Sequence, residues 1–114
     1  MHMTLLTHAD GITLRVEEKR LDAAIAIAFK DKVRAMMGDS GPQVVLDLSQ
    51  VDFMDSSGLG AVIALFKAMP PGRQLVLAGL TPNVQRVFEL TRMDKVFTIT
   101  DRAPDALPQA EEPQ

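Results

Sequence analysis

The chain has 114 residues, 46% of them apolar, and twelve basic against fifteen acidic side chains give a formal net charge of −3. This size and apolar fraction suit one folded domain and exclude wholesale disorder, and the acidic balance excludes the clustered Lys/Arg surface that a nucleic acid partner needs. The absence of cysteine and tryptophan excludes disulfides, thiolate catalysis and the usual structural zinc sites, leaves the core to aliphatic residues, and fits a reducing, cytoplasmic setting.

Met1-His2-Met3 lacks the charged and apolar regions of a signal peptide, and no apolar stretch is long enough for membrane insertion. In chain order, residues 4–9 and 11–17 read as a hairpin turned at Asp10-Gly11, with Ile12, Leu14 and Val16 alternating with polar neighbours. From Asp22, an expected N-cap, Ile25, Phe29, Val33 and Met36 recur at helical spacing until Gly38. Ile27 falls opposite that stripe, on the face of Ala23, Lys30 and Asp31, and marks a docking face.

Val44 to Leu48 form a β-branched and aliphatic run suited to a strand covered on both faces. A second helix is expected from Ser57 to Met69, with Leu59, Val62, Ile63 and Phe66 on one side and Pro70-Pro71-Gly72 as its stop. Leu75–Ala78 reads as the next strand, and Thr81-Pro82 starts a third helix with Val84, Val87 and Phe88 facing inward. Val96–Ile99 is the last expected strand. The order implies an α/β fold: one mixed β-sheet, an N-terminal hairpin plus parallel strands, with helices packed against it. Residues 1–103 form the domain and 104–114, with three prolines, a flexible tail.

The densest chemistry is Asp52-Phe53-Met54-Asp55-Ser56-Ser57-Gly58-Leu59-Gly60, where a strand's exit loop meets a helix N-terminus. There the free amides of residues 57–59 suit an anion, including a phosphoryl group on Ser56, and Gly58 and Gly60 keep bulk away. Helix capping alone also accounts for such a string. Met54 stands where a nucleophile elbow needs Gly, and no Gly-Lys-Ser/Thr completes a phosphate-binding loop. His2 and His8, without a paired acid, are expected at the surface. Asp22, Asp52 and Asp55 read as capping and solvating groups, so no metal and no cofactor is assigned.

Val45-Leu46-Asp47-Leu48, the string Phe53 to Gly60, Pro82 through Val87-Phe88-Glu89-Leu90, and Arg20-Leu21-Asp22-Ala23 together resemble the STAS domain family, and within it bacterial anti-sigma factor antagonists. The likeness runs from Leu5 to Ile99. It implies a partner switch: the unphosphorylated chain binds an anti-sigma factor that doubles as a GHKL-type serine kinase, phosphorylation of Ser56 releases it, and a PP2C-type phosphatase restores it. Ser57 matches a neighbouring serine that is not normally the acceptor. The expected partner surface comprises Asp22, Ala23, Ile27, Asp52, Asp55, Ser57, Gly58, Leu59 and Gly60, with no enzymatic activity. The alternative is a stand-alone STAS subunit of a lipid-transport ATPase complex. The sequence departs from the family at its end, where Pro104 and Pro108 leave room for about one turn of a final helix.

Overall fold

The computed structural model describes residues 1–39 and 41–107. The strands are β1 (Met3–His8), β2 (Gly11–Val16), β3 (Arg20–Leu21), β4 (Gln43–Asp47), β5 (Phe53–Met54), β6 (Gln74–Ala78) and β7 (Thr98–Thr100). The helices are α1 (Ala26–Met37), α2 (Ser56–Lys67) and α3 (Pro82–Leu90), with a short 3-10 turn at Met93–Lys95.

The five longer strands form one sheet in the order β1-β2-β4-β6-β7. Only the β1/β2 hairpin is antiparallel; each helix returns the chain to start another parallel strand. Because successive strand side chains alternate between faces, Leu14 of β2, Leu46 of β4 and Leu77 of β6 share one side. There they join Phe29 and Val33 of α1, Val62 and Leu65 of α2, and Val84 and Phe88 of α3 in one buried cluster. All three helices therefore cover the same face. The opposite face buries Val45, Val76 and Ala78, with Ala103 against them. β4 is thus covered on both sides, as its Val44-Val45-Leu46 run requires.

Several local expectations shift. Asp22 does not cap α1, which begins at Ala26 after Ile25. Instead Asp22 closes the preceding turn: its Oδ1 accepts from the Ala24 amide at 3.1 Å and its carbonyl from Ile25 and Ala26. α2 starts one residue earlier than Ser57 and ends at Lys67, and the Met93–Lys95 turn delays the last strand to Thr98. His8 is buried at 4% exposure rather than superficial, and exposed His2 lies 3.4 Å from the Glu18 carboxylate. No helix follows β7 among the described residues; the Leu107 amide donates to the Thr7 carbonyl of β1. Residues 108–114 of the expected tail lie outside the described residues.

Candidate partner-binding site

A two-stranded parallel ladder, absent from the sequence expectations, organises the site. Arg20 pairs with Phe53 and Leu21 with Met54. Leu21 and Met54 are buried and anchor the ladder in the core, while Arg20 and Phe53 point outward, the guanidinium 4.2 Å from the Phe53 ring centroid. Arg20 Nε also donates to Asp22 Oδ2 at 3.1 Å. This ladder brings residues 20–23 beside the start of α2.

Asp55 is the N-cap of α2, its Oδ1 accepting from the Gly58 amide at 2.9 Å. Its Oδ2 accepts from the Ala23 amide at 3.1 Å, so one carboxylate ties the α2 terminus to the turn before α1. The Gly58 hydrogen bond does most to hold the Asp55 carboxyl below its ordinary value; desolvation opposes it, and the Ala23 and Ser57 amides and the Arg20 charge reinforce it. Two of the three amides expected to be free for an anion are therefore engaged: Gly58 serves the Asp55 side chain, and Leu59 donates to the Asp55 carbonyl at 2.9 Å.

The two motif glycines do different work. A Cβ on Gly58 would lie 2.0 Å from the Leu21 carbonyl oxygen, so only glycine lets α2 meet the ladder this closely. A Cβ on Gly60 meets nothing within 4 Å. Gly60 instead lies on a shallow groove of about 320 Å³ between α1 and α2, lined also by Ala23, Ala26, Ile27, Lys30, Ser57 and Ala61. Ile27 is 72% exposed at its rim, and Ser56 and Ser57 are both exposed.

The fold thus gathers Asp22, Ala23, Ile27, Asp55, Ser57, Gly58 and Gly60 around one end of the α1/α2 pair. Leu59 is turned into the core at 8% exposure, and Gly58 is buried. Asp52 is exposed but lines a separate hollow with Glu17, Glu18, Lys19 and Gln50, where its amide donates to the Lys19 carbonyl at 2.8 Å. Ala26, Ala61 and the Arg20/Phe53 stack belong to this region and went unread in the sequence, since small residues and a two-residue strand leave no periodic mark. Among the described residues, no group of three His, Asp or Glu side chains is placed to hold a metal ion.

The family model for the STAS domain matches residues 4–106. The anti-sigma-B factor antagonist of Listeria monocytogenes is 32% identical over 80 residues, spanning 69% of this chain and 70% of that protein. The anti-sigma F factor antagonist of Paenibacillus polymyxa is 29% identical over 98 residues, 81% of this chain and 84% of that one. The crystal structure of an anti-sigma factor antagonist from Mycobacterium paratuberculosis superposes with a TM-score of 0.77 at 26% identity, over 87% of this chain and 84% of that one. The chain belongs to the STAS domain family.

Proposed function

We propose that this protein is an anti-sigma factor antagonist whose docking is controlled by phosphorylation of Ser56. Unphosphorylated, it binds an anti-sigma factor that is also a GHKL-type serine kinase; the kinase phosphorylates Ser56 and the complex parts; a PP2C-type phosphatase resets it. It is a binding protein of the cytoplasm rather than an enzyme.

The observation that carries this reading is the exposed Ser56 at the first position of α2, beside a groove with the exposed Ile27 on its rim. The names of the relatives support the same class. A phosphoryl group brings roughly −1.5 to −2 charges. Because Asp55 already holds the Gly58 amide with its side chain and the Leu59 amide with its carbonyl, the phosphate would stand outward beside the Asp55 carboxylate. It acts by rejecting the partner rather than by reshaping the helix. Like charge forced into a closing interface costs several kcal/mol, a ten- to thousandfold loss of affinity on the order of that cost.

The test is incubation with the kinase and ATP followed by peptide mass spectrometry. Phosphate is expected on Ser56 and not on Ser57, and Ser56→Ala is expected to take none while still binding the kinase. A chain that binds equally well with or without the Ser56 phosphate instead fits static docking, as in a lipid-transport complex, and ends this reading.

A further inference from the structure

β1 is one of the two edge strands of the sheet, β7 being the other. The His2 carbonyl accepts from the Glu17 amide at 2.9 Å, in register with the β1/β2 ladder, so the even-numbered residues of β1 bond inward to β2. By the alternation of antiparallel pairing, the backbone groups of Met3, Leu5 and Thr7 point outward. The Thr7 carbonyl confirms that direction, since it accepts from the Leu107 amide at 2.6 Å. Leu107 reaches this edge after the chain leaves β7 and passes Ala103 over Val45, Val76 and Ala78.

From this arrangement we infer that the β1 edge is a self-association site for a second copy of this chain, gated by Leu107. β1 reads Met-Thr-Leu-Leu-Thr-His, with no Asp, Glu, Lys or Arg and no proline, so it lacks the charges and proline with which sheet edges usually block pairing. It is also self-complementary under a two-fold axis. With Leu5 opposite its own symmetry mate, Met3 stands opposite Thr7 on one face and Thr4 opposite Leu6 on the other, and no like charges meet. Leu5, 39% exposed, gains an apolar neighbour in that pairing. The two-fold ladder needs the Thr7 carbonyl, the group that Leu107 now occupies. Self-association and the Leu107 contact therefore compete for the same carbonyl and the same side of the strand.

The test uses the full chain and sedimentation across a range of concentrations, with circular dichroism to verify folding. Leu107→Pro removes the amide donor and leaves the rest of the chain in place. One hydrogen bond is worth a factor of about three to ten, and two are released per dimer, so dimers should appear at about ten- to hundredfold lower concentration than for the unaltered chain. Leu5→Pro removes an outward amide that β2 does not use, and Leu5→Lys puts a charge on the two-fold axis; either one combined with Leu107→Pro should restore the monomer. Unchanged sedimentation of folded Leu107→Pro overturns the inference. So does a dimer that survives both changes at Leu5, because it would use another surface.

Discussion

At the residue scale, Asp55 joins the α2 terminus to the turn before α1 through hydrogen bonds to Gly58 and Ala23. Its carboxyl is held below the ordinary value in the folded chain. The stabilisation it adds is therefore present above the unfolded value of about 3.9 and is lost as pH falls through the lower folded value. Asn is also a good N-cap but offers one acceptor oxygen instead of two. Asp55→Asn should lower the melting temperature near neutral pH, and the gap to the unaltered chain should narrow below about pH 4; a gap independent of pH would show that the charge plays no part. The glycines give a sharper contrast. Gly58→Ala drives a Cβ into the Leu21 carbonyl and should cost about 1–3 kcal/mol by urea denaturation. Gly60→Ala has open space and should gain about 0.5–1 kcal/mol of stability, yet weaken partner binding by filling the groove.

At the scale of elements, the long pieces were legible because burial imposes a period. The strand over Val44 to Asp47, the Phe29/Val33 stripe and the Thr81-Pro82 start all appear where the sequence puts them, with Leu48 just past the strand's end. The β3/β5 ladder was not legible, since two residues cannot show an alternation, and its pairing joins segments more than thirty residues apart. The same distance hid the closure of α1. Arg73 sends Nε to the Gly41 carbonyl at 2.9 Å and Nη1 to the Gly38 carbonyl at 2.7 Å, placing a cation at the carbonyl end of that helix. Arg73→Ala should cost about 1–3 kcal/mol and raise amide exchange in the last turn of α1. Arg73→Lys should recover only part of the loss, because it cannot reach both carbonyls in one geometry. Full recovery would mean that charge alone closes the helix.

At the scale of the whole molecule, the sequence marked the centre of the candidate site but misjudged how it would receive an anion. Capping residues were recognised by type, but which amides a given carboxylate would claim depends on the Leu21/Met54 ladder that carries Ala23 to Asp55. Ile27 was legible because it breaks the apolar stripe, and it is indeed exposed. Leu59 is expected both on the apolar side of the second helix and in the partner surface; it is turned inward, as the helical period has it, and leaves the surface. With the Gly58 and Leu59 amides of α2 already held, phosphorylation of Ser56 should leave the fold unchanged: amide chemical shifts should move only near residues 20–27 and 52–60. The most direct measurement is a calorimetric titration of the proposed partner, an anti-sigma factor kinase, with this chain before and after stoichiometric phosphorylation of Ser56. Affinity should be lower by about ten- to thousandfold in the phosphorylated form; equal affinity in the two forms would rule out a switch at Ser56.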